Sequence, residues 1–358
     1  MNKFQFYPCK VRKINQETKD CVSLELEIDS QWKNQFSFKA GQYLTFKWNN
    51  KEREIRRSYS LCAAPYEKLW KVAVKRVEGG VFSTFVNEEL REGDRLEVMV
   101  PQGQFILSPD SQKRLYVFFA AGSGVTPIMS MIKEILHQTH QEVLLFYGNR
   151  STDTIIFREE IEALKNKHLG RMAVHYILSR EKPGSPLFFG RIDAEKCNTY
   201  MDLLFNPEEV AQYLICGPEK MIFEVEKALI IRGVAKSQIK FELFVTENRT
   251  GSLVTDLKKN SQSGPLSLIR IKIDGVISEL ELPQNGISIL DAAIHAGADL
   301  PFSCKGGVCS TCKAKIVEGR VKMDVCYALE EDEVERGYIL TCQSHPQTEN
   351  VMIDFDEN

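Results

Sequence analysis

The chain has no long apolar run. Stretches such as Leu115 to Ala121 are too short to cross a bilayer as a helix. The opening Met-Asn-Lys-Phe-Gln lacks the apolar region of a signal peptide. A soluble, cytoplasmic protein without membrane insertion is therefore expected. There is no surplus of positive charge either: 46 Lys and Arg against 49 Asp and Glu leave −3. That argues against a nucleic-acid partner, which needs a concentrated basic surface to neutralise phosphates. Internal repeats and low-complexity tracts are also missing. What remains is a chain of 358 residues, 43% apolar and 27% charged, enough to fill two or three cores.

Charge and pattern divide the chain. From residue 266 onward there are 8 Lys and Arg against 16 Asp and Glu, or −8, whereas residues 1–265 carry 38 against 33, or +5. Residues 1–110 show short alternating or β-branched runs, among them Cys21-Val-Ser-Leu-Glu-Leu-Glu-Ile28 and Arg95-Leu-Glu-Val-Met-Val100, which predict an antiparallel sheet or barrel. Residues 111–246 change to continuous apolar runs, Leu115-Tyr-Val-Phe-Phe-Ala120, Val143-Leu-Leu-Phe-Tyr147, Val174-His-Tyr-Ile-Leu178 and Tyr213-Leu-Ile-Cys216. Helix-length segments separate them, so a parallel, doubly wound α/β sheet is expected. Residues 247–265 are polar and turn-rich and read as a linker. The last domain, 266–358, opens on two strand-like runs joined by Asp274-Gly275, a hairpin signal, and a helix is predicted from Ser288 to Gly297.

Ten cysteines without secretory signals are more readily thiols or metal ligands than disulfides. Four of them form a pattern: Cys304-Lys-Gly-Gly-Val-Cys309-Ser-Thr-Cys312, then a distant Cys342. This C-x4-C-x2-C plus a lone fourth cysteine has the plant-type 2Fe-2S spacing. Structural zinc, the alternative, usually takes two short cysteine pairs. Gly306 and Gly307 permit unusual backbone angles and leave amide hydrogens to point at sulfide. Cys9, Cys21, Cys62, Cys197, Cys216 and Cys326 share no spacing and read as buried or incidental thiols.

On these residues the segment 266–358 resembles a plant-type ferredoxin, which implies an α+β β-grasp fold. Upstream, Arg57-Ser58-Tyr59-Ser60, followed by Leu61, matches the R-x-Y-S-L signature of the ferredoxin-NADP reductase family. An arginine can clamp a flavin phosphate, a tyrosine can lie against the flavin, and a serine hydroxyl can reach N5. Gly79-Gly80-Val81-Phe82-Ser83 precedes a helical stretch predicted from Thr84 to Leu90. It reads either as a pyrophosphate site at a helix N-terminus or as a glycine turn with Ser83 as N-cap. Gly122-Ser123-Gly124-Val125-Thr126-Pro127 follows the first buried strand and precedes a helix expected over 128–136. The resemblance makes this the nicotinamide-binding turn, with Thr126 near the flavin.

Taken alone, Cys216 reads as a packed thiol and Gly217-Pro218 as a turn; the family's C-G-P segment places the cysteine beside nicotinamide C4. Glu242 and Phe244 fall where plant reductases end in E-x-Y, and a plain core strand is an equal alternative for them. Arg150, Ser179 and Arg180 lie in loops after successive strands, where arginine favours a ribose 2'-phosphate and hence NADPH. Asp153 and Glu181 nearby keep solvated surface arginines open as the alternative.

Tyr147-Gly-Asn-Arg150, Gly190-Arg-Ile-Asp193 and the closing Val351-Met-Ile-Asp-Phe355 extend the likeness to the reductase components of bacterial phenylacetyl-CoA epoxidase complexes and their relatives. The resemblance implies an FAD-binding β-barrel, a nicotinamide domain and a ferredoxin, passing electrons from NADPH through FAD and 2Fe-2S to a diiron monooxygenase. Acceptors of the Rieske or desaturase type, and a redox-sensing role without turnover, are the alternatives. A monomeric reductase is expected, with its acidic ferredoxin steered by charge.

Overall fold

The computed structural model describes residues 5–50, 54–108, 113–182, 184–244 and 265–357. The chain divides into two compact units, residues 1–244 and 245–358. The segment 247–265, expected as a linker, lies outside the described residues except for Pro265.

The first unit begins with β1 (Phe6–Thr18), β2 (Cys21–Ile28), β3 (Tyr43–Asn49), β4 (Glu54–Ser60), β5 (Trp70–Lys75) and β6 (Arg95–Met99), in the order β4-β3-β6-β1-β2-β5. All neighbours are antiparallel. Alternation sends Leu24, Leu26 and Ile28 inward while Glu27 stays exposed. Leu61, just past β4, pairs with Val72 of β5 and joins the two edges, so the sheet closes into the expected barrel. Helix α1 (Val81–Glu88) starts three residues earlier than the sequence suggested. Its N-cap is Gly80, and Ser83 lies inside the first turn, donating to the Gly80 carbonyl at 3.1 Å.

The second half of this unit is a parallel sheet of β7 (Leu115–Ala121), β8 (Glu142–Asn149), β9 (Met172–Leu178), β10 (Val210–Gly217) and β11 (Ile239–Leu243), ordered β11-β10-β7-β8-β9. Helices α2 (Val125–Gln138), α3 (Arg158–Lys167), α4 (Ala194–Leu203) and α5 (Glu219–Ile231) provide the crossovers. Every residue of β10 is buried, which explains its unbroken apolar run. Phe146 stacks on Phe119 at 5.1 Å and on Tyr200 at 4.4 Å between ring centroids. The strand order reverses between β7 and β10, the switch point where doubly wound sheets bind ligands. Helix α2 begins at Val125 and not at Ile128, because Pro127 in a first turn needs no backbone donor.

The second unit pairs β12 (Leu266–Ile273) with β13 (Val276–Pro283) through a two-residue turn in which Asp274 and Gly275 have φ of 50° and 75°. Helix α6 (Ile289–His295) is capped by Ser288, whose hydroxyl accepts from the Asp291 amide at 3.2 Å. Gly297, at φ 90°, lies just past its end. Strands β14 (Lys313–Glu318), β16 (Tyr338–Leu340) and β18 (Asn350–Asp354) complete a mixed sheet ordered β13-β12-β18-β14-β16. Strands β15 (Val321–Met323) and β17 (Ser344–Pro346) pair separately, and α7 (Glu331–Glu335) is short and acidic.

A charged cluster joins the barrel to the parallel sheet. Lys133 of α2 is 5% exposed and pairs with Glu160 of α3 and with Glu67 at 3.3 Å. Glu160 also meets Lys71 of β5, which in turn meets Glu17 of β1, both at 3.5 Å. Burial would raise the Glu160 carboxyl, but Lys133 and Lys71 outweigh it and hold it below the ordinary range. A depressed carboxyl contributes stability that is present above its unfolded pKa and lost as pH falls through the folded one. Glu160→Gln should therefore unfold in less urea than the parent at neutral pH. The gap should close as pH falls past about 4.3 toward the depressed value, as read by circular dichroism across that range.

Candidate functional site

In the first unit, contacts link the singled-out segments one to the next. Arg57, Ser58, Tyr59 and Ser60 occupy the end of β4, in register with Phe46, Thr45, Leu44 and Tyr43 of β3. Thr45 and Ser58 share a hydroxyl hydrogen bond of 3.0 Å. The Tyr59 ring stacks on Phe82 of α1 at 5.8 Å, which ties this strand to the turn at Gly79, Gly80 and Val81. Gly79 has φ 75°. A Cβ on Gly80 would lie 2.6 Å from Ser83 Oγ, so the first turn of α1 closes tightly with backbone N–H groups at its open end.

The Ser60 hydroxyl donates to Glu242 Oε2 at 3.3 Å, bridging β4 and β11. Glu242 is in register with Cys216 on β10, and Cys216 with Ala120 on β7. Burial pushes the Cys216 thiol well up, and Glu242 adds to the shift. Cys216 is thus a neutral thiol, unsuited to nucleophilic chemistry. The turn after β7 meets the end of β10 at Gly124, where a Cβ would overlap the Cys216 carbonyl and come within 2.8 Å of the Gly217 nitrogen. Gly122, by contrast, has φ 55°, and a Cβ there would meet nothing within 4 Å. The turn is closed against β10 on one side and open on the other. Thr126 donates to the Ser123 carbonyl at 3.0 Å, Pro127 follows in the first turn of α2, and Pro218 caps α5. Phe244, past the end of β11, is 39% exposed.

Arg150 and Arg180 lie side by side beyond β8 and β9, the Arg180 amide donating to the Arg150 carbonyl at 2.8 Å. Ser179 donates through both its amide and its hydroxyl to the Asn149 carbonyl. The Glu181 carboxylate accepts from Thr152 N at 2.7 Å and Thr152 Oγ1 at 2.8 Å, and these bonds hold its pKa down. Beside these loops a cavity of about 350 Å³ is lined by Thr152, Arg158, Glu162, His175 and Tyr176 among others.

In the second unit Cys309, Cys312 and Cys342 are buried and Cys304 is partly so. No group of three or more His, Cys, Asp or Glu side chains among the described residues is arranged around a single ion. The thiols meet two by two. A thiol hydrogen bond between Cys304 and Cys309 holds the Cys309 thiol down and raises that of Cys304. A like hydrogen bond to Cys312 raises the Cys342 thiol. Two cysteine pairs suit a cluster of two irons with four thiolate ligands. Backbone donors also aim at sulfur: Gly306 N to Cys304 Sγ at 3.3 Å and Cys304 N to Cys309 Sγ at 3.5 Å. Of the two glycines, only Gly307 takes a positive φ, 72°; the other left-handed residue of the loop is Lys305, at 52°.

The composition and motifs did not single out Ser130, Lys133 or Glu160. The signal available was a lysine and a serine within the otherwise apolar face of α2.

Three family models match the chain: "Oxidoreductase FAD-binding domain" over residues 8–106, "Oxidoreductase NAD-binding domain" over 118–227 and "2Fe-2S iron-sulfur cluster binding domain" over 271–347. The chain is 38% identical over 353 residues to a subunit of the 1,2-phenylacetyl-CoA epoxidase of Escherichia coli K12, covering 98% of each. It is 29% identical to the ferredoxin reductase component of 3-ketosteroid-9-alpha-monooxygenase of Rhodococcus rhodochrous, covering 96% of this chain and 95% of the relative. Among solved structures, phthalate dioxygenase reductase, described as modular for electron transfer from pyridine nucleotides to [2Fe-2S], superposes with a TM-score of 0.62. At 24% identity over 98% of each chain, that likeness is one of fold.

Gly124→Ala should weaken binding of the oxidised nicotinamide cofactor, NAD+ or NADP+, about tenfold, or ~1.4 kcal/mol, in a difference-absorbance titration, since its methyl group can be relieved only by moving one strand end. Cys342→Ser should purify with its visible iron-sulfur absorption and bound iron sharply reduced and its flavin content unchanged.

Proposed function

Since the chain belongs to the oxygenase reductases of the ferredoxin-NADP reductase family that carry a C-terminal 2Fe-2S ferredoxin, we propose that it draws electrons from NADPH for a diiron monooxygenase that epoxidises an aromatic acyl-CoA thioester. It is an NAD(P)H-dependent oxidoreductase with FAD-binding, NAD-binding and 2Fe-2S domains, and it passes electrons from NAD(P)H through FAD and 2Fe-2S to an oxygenase. FAD, when bound, takes up the two electrons of a hydride, and the 2Fe-2S cluster carries electrons singly. The observation that carries the reading is the Ser60–Glu242–Cys216–Gly124 succession at the carboxyl ends of the sheet strands.

In this reading Arg57 binds the flavin phosphate, Ser58 and Tyr59 line its seat, and Tyr59 is braced by Phe82. The amides of Val81, Phe82 and Ser83 face the pyrophosphate, while Gly80, whose own amide donates to the Val77 carbonyl at 2.9 Å, shapes the turn. Ser60 stands at the flavin edge with its hydroxyl proton directed to Glu242, which leaves the Oγ lone pairs and the Glu242 carboxylate to orient that edge. Gly122, Ser123 and Gly124 present N–H groups to the nicotinamide cofactor, and Thr126 and Pro127 begin the helix behind them. Cys216, held neutral, orients the nicotinamide ring and excludes water, with Gly217 and Pro218 leading away. Phe244 is the aromatic available to cover the flavin. Cys304, Cys309, Cys312 and Cys342 would hold the cluster, with the Gly306 amide supporting the charge on sulfur.

NADPH is favoured over NADH because Glu181, the carboxylate of these loops that would suit a ribose 2'-hydroxyl, is already engaged by Thr152. The Arg150 and Arg180 side chains remain to meet a 2'-phosphate, and Ser179 would join them by turning its hydroxyl from the Asn149 carbonyl. An epoxidase acceptor is supported by the 38% relative, and its diiron centre is what the family resemblance implies. A different oxygenase is the second reading, favoured by the steroid monooxygenase reductases at 29%.

Anaerobic titration with NADPH and then NADH, following flavin bleaching optically and the cluster by electron paramagnetic resonance, tests the relay. Bleaching without a cluster signal would break the assignment of the second unit. Arg180→Ala should raise KM for NADPH about tenfold and leave KM for NADH unchanged; equal effects on both would assign Arg180 to the surface.

A further inference from the structure

Three polar residues sit at helical spacing on the otherwise apolar face of α2: Thr126, Ser130 and Lys133. All three are nearly inaccessible, at 3%, 0% and 5% exposure. Thr126 closes the turn at its own end of the helix. The other two reach across to the barrel. Ser130 Oγ donates to the Ala63 carbonyl at 2.6 Å, and Lys133 Nζ donates to the Cys62 carbonyl at 3.3 Å. Cys62 and Ala63 come directly after Ser60 and Leu61, and the Cys62 amide is itself fixed to the Lys71 carbonyl at 2.8 Å. Glu160 and Glu67 flank the ammonium and their charges keep it in place, Glu160 being shared with Lys71.

Buried polar groups of this kind are costly unless paired, so a two-point attachment between successive backbone carbonyls and one helix face defines a single arrangement. We propose that Ser130 and Lys133 are positioning residues that set the approach of the nicotinamide ring to the flavin, by fixing α2 to the segment that carries Ser60. The proposal rests on the reading above, in which β4 seats the flavin and the turn before α2 the nicotinamide cofactor. Hydride transfer is steeply sensitive to such spacing, and a misplacement of about 1 Å can cost a factor of about 100.

The test uses the full chain with its cofactors, reduced anaerobically in a stopped-flow instrument by NADPH and by NADPH deuterated at the transferred position. Ser130→Ala and Lys133→Met are expected to slow flavin bleaching about tenfold or more and to change its deuterium isotope effect. Flavin content and the NADP+ dissociation constant should stay within about twofold, while the change that saturating NADP+ makes in the flavin spectrum, a report of ring stacking, should diminish. Ser130→Thr, which keeps the hydroxyl, should restore the parent values. If Ser130→Ala does not retain flavin, Ser130→Cys carries the same comparison with a weaker donor and a similar volume. Variants that melt at lower temperature but keep the parent's bleaching rate, isotope effect and NADP+ spectrum would overturn the positioning role. A parent that neither NADPH nor NADH reduces would instead overturn the functional reading on which it stands.

Discussion

No side chain fits where Gly124 meets the end of β10, and the first unit is arranged around that close approach. Parallel strands place their carboxyl ends side by side, but only a residue without a Cβ lets the turn after β7 lie against the Cys216 carbonyl. With the turn held there, α2 starts at a fixed point, and its buried polar face comes into reach of the barrel. The same approach leaves Gly122 open on its far side. One backbone contact thus sets both the open turn after β7 and the junction between barrel and sheet.

Thiol chemistry is handled in opposite ways in the two units. Cys216 is buried among apolar neighbours with a carboxylate close by, and both push its thiol up. The four cysteines of the second unit instead lie close to one another, with backbone amides directed at the Cys304 and Cys309 sulfurs. Burial alone therefore does not distinguish a packing cysteine from a ligand; the nearest sulfur does.

Much of this was legible in the sequence. Period-two alternation in β2, the unbroken apolar run of β10 and the Asp274-Gly275 turn each express a local rule, and the structure follows them. Helix starts were less legible: α1 and α2 begin three residues before the apparent signals, because Gly80 caps where Ser83 looked the better cap and Pro127 is tolerated in a first turn. The barrel–sheet junction was not legible. Lys133, Glu160, Lys71, Glu67 and Glu17 are scattered along the chain, and no spacing rule links an ion cluster assembled from several elements. The engagement of Glu181 by Thr152 was hidden for the same reason.

Strand β18 lies in the interior of the second unit's sheet, parallel to β12 on one side and antiparallel to β14 on the other. The first and last strands of that module are therefore immediate neighbours. On a ribosome the amino-terminal unit can complete its core while the chain is still growing, whereas the ferredoxin core stays open until its final strand emerges. Iron delivered before then would find three cysteines on one loop without the settled scaffold that brings the fourth. Translation order alone thus imposes a sequence of assembly, flavin module before iron module, and makes truncation near the carboxyl end far more damaging to the second than to the first.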